Sequence, residues 1–120
     1  MEEDVRVHVV VEHDTMRELL VDLLVREHCE VASANSGRQA EIDLRVHDGD
    51  VLVIDEAAFA QPGWRRDHAL GAEPVVVVVA TEDDPFSRQA ALAGGARGWI
   101  PRERLGDELA GELRRITGRR

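Results

Sequence analysis

The sequence has little cysteine and no long hydrophobic stretch. Its single cysteine, Cys29, excludes a disulfide within the chain, so nothing indicates an oxidising compartment. The longest uninterrupted apolar run, from Val75 to Ala80, is far shorter than the roughly 20 residues that a membrane-spanning helix needs. The chain starts with Met1 and three acidic residues, which is the wrong sign for a signal peptide. We therefore expect a cytoplasmic protein without a membrane segment.

Basic charge is also scarce. The 15 basic residues face 24 acidic ones, and the formal net charge is −9. Because phosphate backbones repel a uniformly acidic domain, we expect that this chain by itself does not bind nucleic acid. The one basic cluster, Arg114–Arg115 with Arg119–Arg120, is interpreted as complementing the end of a helix.

The length of 120 residues predicts one domain, residues 1–120. Apolar runs rich in β-branched residues are typical of strands that are buried on both faces of a parallel sheet. Such runs alternate with helical segments five times, which predicts an α/β fold with a doubly wound, parallel, five-stranded (βα)₅ sheet and helices on both faces. The predicted strands are Val5–Val11, Glu30–Ala34, Val51–Ile54, Val75–Val79 and Gly98–Ile100.

The helices are predicted from apolar stripes and capping residues. The first is predicted to have Asp14 as its N-cap and to end near His28. Residues 40–46 alternate like a strand, yet a helix is predicted there because parallel neighbours need a crossover. A loop is predicted over Glu56–Gly63, followed by a short helix over Trp64–Leu70. The last two helices are predicted to begin at Asp84–Pro85 and near Leu105, and to close at Gly94–Gly95 and Gly118.

Function in such sheets lies at the carboxyl ends of the strands, which selects a short set of polar residues. Carboxylates from adjacent strands can converge on Mg²⁺ or attack a phosphoryl group, and a cation from the last strand can steady the transferred charge. Asp55 ends an apolar buried strand, where an aspartate is costly unless it is partnered, so a site role is predicted for it. The other residues at these ends are Glu12, His13, Asp14, Glu56, Ala80, Thr81, Glu82, Arg102 and Glu103; Glu56, Glu82 and Glu103 are interpreted as solvated.

Other kinds of site find no support in the sequence. There is no GxGxxG after the first strand and no GxxxxGK[ST], so nucleotide binding by those loops is not predicted. The histidines have no zinc-like spacing, and all are predicted to be surface or turn residues: His8, His13, His28, His47 and His68.

Four segments together resemble the receiver domain of bacterial two-component response regulators, over essentially the whole chain. They are Val9–Leu20, Asp50–Asp55, Pro74–Pro85 and Ala93–Arg102. In the last segment, small residues precede a glycine, an aromatic, an aliphatic, a variable and a basic residue, a fairly specific pattern when it follows the others in order. The resemblance implies a flavodoxin-like sheet of strand order 2-1-3-4-5. It also implies phosphoryl transfer from a histidine kinase to Asp55.

The metal-binding part of this pocket departs from the family pattern. The acidic pair that binds Mg²⁺ in the family falls on Val11 and Glu12, so one carboxylate of the pair is missing. Shifting the register by one residue places the pair on Glu12 and His13, which still gives one carboxylate. Glu12 and Asp55 are therefore the predicted metal ligands, and Mg²⁺ binding is expected to be weak or absent.

The switch part of the pocket departs as well. The family's Thr or Ser after the fourth strand falls on Ala80, which has no hydroxyl, and Thr81 is next to it. The family's lysine falls on Arg102, which keeps the charge but not the compact geometry of an ammonium group. The aromatic switch position falls on Trp99, which is larger than the usual Tyr or Phe.

Three functions remain open from the sequence. The first is an atypical receiver that acts in signal transduction as a regulatory protein-interaction or dimerisation module, with weak or absent phosphorylation at Asp55. The second is a working, Mg²⁺-dependent phosphoacceptor. The third is a small-ligand sensor that uses the same crevice. In none of these is the chain predicted to be an enzyme, beyond self-catalysed phosphoryl transfer onto its own aspartate.

The resemblance also implies a contact surface and partners. The family's output face corresponds to residues 85–117, which are rich in alanine and carry charged residues for salt bridges. We predict a homodimer through this face. The predicted partners are a histidine kinase and a DNA-binding output domain, or another protein, outside this chain.

Overall fold

The computed structural model describes residues 5–36, 46–60 and 74–118. Within these ranges the five strands follow one another in the order that the hydrophobic pattern predicts, with helices after the first, third, fourth and fifth of them. The strands are β1 (Arg6–Val10), β2 (Glu30–Asn35), β3 (Val51–Asp55), β4 (Val75–Ala80) and β5 (Gly98–Pro101). The helices are α1 (Asp14–Arg26), α2 (Glu56–Phe59), α3 (Pro85–Ala93) and α4 (Leu105–Thr117), and a 3₁₀ turn, Arg102–Arg104, leads into α4.

The five strands form one sheet in the order β2-β1-β3-β4-β5, and every pairing is parallel. The predicted fold class and strand order are thereby confirmed. Since all strands run the same way, their carboxyl ends meet at one edge of the sheet, and the loops that follow β1, β3, β4 and β5 lie side by side.

The core lies on both faces of the sheet, because the valine-rich strands present apolar side chains in both directions. On one face, α1 and α4 contribute leucines such as Leu20, Leu24 and Leu109. On the other face, Ala91 of α3 packs with strand residues and Trp99. Every helix among the described residues is too short or too polar to span a bilayer.

The ends of α1 differ from the prediction by one or two residues. His13, not Asp14, is the N-cap, because its ring Nδ1 accepts a hydrogen bond from the backbone N–H of Met16 at 3.4 Å. The helix ends at Arg26, and His28 then adopts a left-handed backbone conformation with φ 59°. The prediction that His28 is a turn residue is confirmed.

A short helix, α2, replaces the beginning of the predicted loop over Glu56–Gly63. It forms because the Asp55 side chain caps it, accepting a hydrogen bond from the N–H of Ala58. The predicted helix over Trp64–Leu70 lies outside the described residues, and so does nearly all of the one predicted over residues 40–46. By contrast, Asp84 caps α3 and Pro85 is its first residue, as predicted.

The prediction that every histidine lies at the surface or in a turn is wrong for His8. This side chain is 1% exposed and is hydrogen-bonded at both ring nitrogens. Its Nε2 lies 2.9 Å from Asp50 Oδ2, and its Nδ1 lies 3.0 Å from Ser33 Oγ. Because an ionised carboxylate only accepts, Nε2 carries the proton that is donated to Asp50. The Ser33–His8–Asp50 chain of hydrogen bonds therefore joins β2, β1 and the start of β3.

Asp50 is the centre of this buried cluster. Besides His8, its carboxylate accepts hydrogen bonds from the backbone N–H of His47 at 2.9 Å and from Arg6 Nε at 3.2 Å. Burial raises the pKa of the Asp50 carboxyl, but the hydrogen bonds from His47 and His8 and the charges of His8 and Arg6 lower it. The net result is a pKa below the ordinary value of 3.8.

This depressed pKa predicts a specific loss of stability in acid. The stabilisation by the Asp50 carboxylate is complete above the unfolded-state pKa of about 3.8 and is lost as the pH falls through the lower folded-state pKa. We expect the free energy of unfolding to decrease from pH 4 downwards, and to decrease less steeply in Asp50→Asn. Urea denaturation of both proteins from pH 6 to about pH 2 measures this. If the free energies of unfolding of the two proteins decreased in parallel as the pH falls, the assignment of the acid-dependent stability to Asp50 would be contradicted.

Candidate functional site

A cleft of about 880 Å³ lies at the carboxyl ends of β1, β3, β4 and β5. The structure brings nearly all of the predicted site residues together there. Those that line the cleft are Val11, Glu12, Asp55, Ala80, Thr81 and Arg102, and they are joined by His13, Asp14 and Glu56. Trp99, the other predicted site residue, lines a separate groove between α3 and α4.

Asp55 lies at the end of β3, where both of its carboxylate oxygens accept hydrogen bonds from backbone N–H groups. Oδ1 accepts from Ala58 in α2 at 2.8 Å, and Oδ2 accepts from Glu12 in the loop after β1 at 2.8 Å. The side chain thus ties two loops of the cleft to each other. Each oxygen already shares its charge with a donor, so a metal ion or a phosphoryl group has to compete with these bonds.

Val11, at which the resemblance predicts that a metal-binding carboxylate is missing, is a core residue. Val11 is 1% exposed and packs with the apolar residues beneath α1 and α4. The neighbouring Glu12 is exposed. Mg²⁺ takes oxygen ligands in near-ideal octahedral geometry, and an aliphatic side chain supplies none. Of the residues predicted for the metal site, Glu12 and Asp55 therefore supply carboxylate oxygens and Val11 supplies no ligand.

Arg17 of α1 stabilises the loop after β1 through hydrogen bonds, a role that was not predicted from the sequence. Its guanidinium donates to the carbonyl oxygen of Val11 at 2.8 Å and to that of Glu12 at 3.4 Å, and it also pairs with Asp14. The signal for that ion pair was in the sequence, since residues three positions apart on a helix lie on the same side.

The residues after β4 and β5 differ in exposure. Ala80 is buried, whereas Thr81 and Arg102 are exposed. The Arg102 side chain makes no ion pair or hydrogen bond with another described residue. Glu82 and Glu103 are exposed, in agreement with the prediction.

Glu56 does not fit the predicted solvated state. Its side chain is half-buried, and its Oε2 atom is buried with no hydrogen-bond partner among the described residues. It follows Asp55 directly and is the first residue of α2. Its burial therefore depends on how this short helix, which Asp55 caps, packs in the fold.

Trp99 is 6% exposed and belongs to the buried cluster that also contains Ala80 and Val78. Val78 is its register partner in β4, so its indole packs on the sheet face that α3 covers. The indole Nε1–H is buried and has no acceptor in the part of the chain that the structure describes.

No family model matches the sequence, and no curated protein shows significant sequence similarity to it. Solved structures do match. The signal receiver domain of NarL from Mycobacterium tuberculosis superposes with a TM-score of 0.75 at 23% identity, over 99% of this chain and 100% of that one. The resemblance to receiver domains is thereby confirmed at the level of the fold.

Two further solved structures match this chain. The receiver domain of the sensor histidine kinase PA1611 from Pseudomonas aeruginosa, which has a magnesium ion in its active-site cleft, matches with a TM-score of 0.62 and 16% identity. It covers 97% of this chain and 99% of its own. An atypical orphan response regulator matches with a TM-score of 0.58 and 17% identity, over 92% of this chain and 96% of its own.

Proposed function

We propose that this chain, which has the fold of response regulator receiver domains, acts in signal transduction as an atypical receiver. In this role it is a regulatory protein-interaction module whose phosphorylation at Asp55 is weak or absent. It carries out no enzymatic reaction beyond, at most, slow phosphoryl transfer onto its own aspartate.

The observation that carries the proposal is the hydrogen bonding of Asp55. A carboxylate that attacks a phosphoryl group uses one oxygen as the nucleophile. In this cleft both oxygens accept a hydrogen bond from a backbone N–H group at 2.8 Å, one from Glu12 in the loop after β1 and one from Ala58 in α2. Attack would draw charge from one of these oxygens and weaken the hydrogen bond that it accepts, so we infer that Asp55 is better suited to holding the two loops together than to reacting.

The neighbours of Asp55 support the same function. Val11 places a buried methyl-bearing side chain where a second metal-binding carboxylate would lie. Ala80 offers no hydroxyl to a phosphoryl oxygen, and Trp99 is already packed in the same buried cluster. With no hydroxyl to move and an aromatic ring that is already buried, the surface around β5 is held in one state without a phosphate.

One matching structure lends precedent to this function. The atypical orphan response regulator with the same fold is described as having a phosphorylation-independent regulatory mechanism. We carry that property over to this chain as part of the proposal, since the likeness itself concerns the fold.

The partners follow from the same proposal. The contact surface is the face formed by residues 85–117, with a homodimer as one predicted assembly. An output domain that binds DNA, or another protein, lies outside this chain, and a histidine kinase contacts it without efficient phosphoryl transfer. We place the protein in the cytoplasm.

Intact mass spectrometry after incubation with acetyl phosphate and Mg²⁺ tests the proposal. We expect no adduct, or an adduct that forms far more slowly than on a receiver domain with a complete acidic pair treated in parallel. Asp55→Asn and Thr81→Ala are the matched variants, one at the acceptor and one beside it. Rapid, Mg²⁺-dependent addition of one phosphoryl group that disappears in Asp55→Asn alone would overturn it.

A working phosphoacceptor is the second candidate function, and one observation favours it. Glu12, Asp55, Thr81 and Arg102 line the same cleft, so an acid, an acceptor, a hydroxyl and a cation are all near one another. The same cleft, at about 880 Å³, is the place where the third candidate function, small-ligand sensing, would occur. The mass experiment separates the first two functions, because only a working acceptor gains a Mg²⁺-dependent adduct.

A further inference from the structure

One peptide group connects Arg17 of α1 to Asp55. The carbonyl oxygen of Val11 and the N–H of Glu12 belong to the same peptide unit. The oxygen accepts a hydrogen bond from Arg17 Nη1 at 2.8 Å, and the N–H donates to Asp55 Oδ2 at 2.8 Å. A guanidinium, a peptide group and a carboxylate therefore form one chain of hydrogen bonds, which runs from α1 to the end of β3.

The planarity of this peptide couples its two hydrogen bonds. The peptide is trans, so its C=O and N–H bonds point in opposite directions, and a group that fixes one of them also fixes the other. By holding the Val11 oxygen, Arg17 therefore directs the Glu12 N–H at Asp55. Polarisation acts in the same sense, because a cation at the oxygen makes the N–H a stronger donor.

Arg17 is itself held in place. Its Nη2 pairs with Asp14 Oδ1 in the first turn of α1, and its side chain is only 20% exposed, so water competes little for its donors. The other side of the peptide is anchored as well. Val11 is 1% exposed, and its own N–H donates to the carbonyl oxygen of Asn35 at 3.0 Å. The donor that faces Asp55 is thus fixed from both directions.

We propose that Arg17 is a positioning residue that restrains the reactivity of Asp55 by holding the Glu12 N–H on Oδ2. The inference rests on the proposed function as an atypical receiver and names the residue that regulates its aspartate. The restrained reaction is attack on an acyl phosphate: a bond forms between Oδ2 and phosphorus, the bond from phosphorus to the acyl oxygen breaks, and a carboxylate leaves with the electron pair. Oδ2 is the oxygen concerned, because Oδ1 caps α2 whether or not Arg17 is present.

The amide proton resonance of Glu12 measures the position of this donor. A hydrogen bond to a carboxylate deshields the proton, so Asp55→Ala, which removes the acceptor, is expected to move the resonance upfield. Arg17→Ala is expected to move it in the same direction. Arg17→Lys should move it less, since an ammonium group still donates to the Val11 oxygen but lacks the fork that also reaches Asp14. Arg26→Ala removes an exposed arginine of α1 and is the matched control, which should leave the resonance in place.

The rate of modification by acetyl phosphate and Mg²⁺, followed by intact mass, measures the consequence. Arg17→Ala is expected to gain the adduct about fivefold faster than Arg26→Ala, the factor that corresponds to one lost hydrogen bond of about 1 kcal/mol. The adduct should be absent from Arg17→Ala/Asp55→Asn. A damaged fold would slow this reaction, so a faster rate reports on positioning.

The two measurements decide the inference together. If Arg17→Ala does not fold, Arg17→Lys replaces it in both, with smaller changes of the same sign. The inference is overturned if the Glu12 resonance stays in place in the Arg17 variants, or if these variants react no faster than Arg26→Ala. Rapid modification of the wild-type chain would instead overturn the proposed function, and the comparison with Arg26→Ala would still decide the role of Arg17.

Discussion

Asp50→Ala is expected to lower the free energy of unfolding by about 3 kcal/mol, the scale observed when one partner of a buried ion pair is removed. The reason is what the substitution leaves behind. The ring Nε2–H of His8, which is 1% exposed, loses its acceptor in the interior. Arg6 and the backbone N–H of His47 lose theirs at the edge of the same cluster. Urea denaturation at pH 7 measures the loss.

The matched control is Asp22→Ala, which removes a carboxylate from the exposed side of α1. A change there within about 0.5 kcal/mol of wild type is expected, as for most surface substitutions. The double variant His8→Leu/Asp50→Ala removes donor and acceptor together, so its loss should be smaller than the sum of the single losses. Additive losses, or an Asp50→Ala protein as stable as Asp22→Ala, would show that the cluster does not hold the sheet.

Asp55→Ala is expected to destabilise the protein by about 2 kcal/mol, although Asp55 lies in the candidate functional cleft. The substitution removes the N-cap of α2, a loss of about 1 kcal/mol, and the hydrogen bond from Glu12 N–H, a loss of similar size. Asp55→Asn should lose about half as much. Its single carbonyl oxygen replaces one acceptor, and its NH₂ group faces the donor that remains.

Thermal or urea unfolding of the two Asp55 variants checks the order wild type, Asn, Ala. Thr81→Ala, an exposed residue of the same cleft, is the control that should unfold like wild type. If Asp55→Ala were as stable as wild type, the aspartate would be free of a structural role, and the case for a working phosphoacceptor would gain. This outcome is measured without any phosphodonor, so it tests the geometry by itself.

Several site residues were predicted from the sequence because their placement is a matter of topology. An apolar run followed by a polar residue marks the carboxyl end of a parallel strand, and Glu12, Asp55 and Arg102 all line one cleft for that reason. The pattern also contained a signal that was not used. His8 interrupts a valine-rich strand that was predicted to be buried on both faces, and such a strand has no exposed side for a histidine.

The hydrogen bonds of Asp55 in the cleft could not be predicted from the sequence. Nothing in the chain near Asp55 indicates that its second oxygen accepts from Glu12, which is 43 positions away. The contact depends on how two neighbouring loops lie once the sheet has formed. The same is true of Trp99, because the surroundings of Nε1–H in the folded state, where no described residue accepts from it, are not visible in the sequence.

The sequence by itself determined the strand order along the chain, the parallel sheet, the cap Asp84 with Pro85 as the first residue of α3, and the residues that gather at the carboxyl edge. These follow from local periodicity and chain direction. Only the tertiary structure decided the buried polar cluster. The pairing of β1 with β2 runs from Val7 opposite Val31 to His8 opposite Ser33, which leaves one residue of β2 as a bulge. That bulge places Ser33 beside His8, and a register shift of this kind depends on contacts between strands, which local sequence does not record.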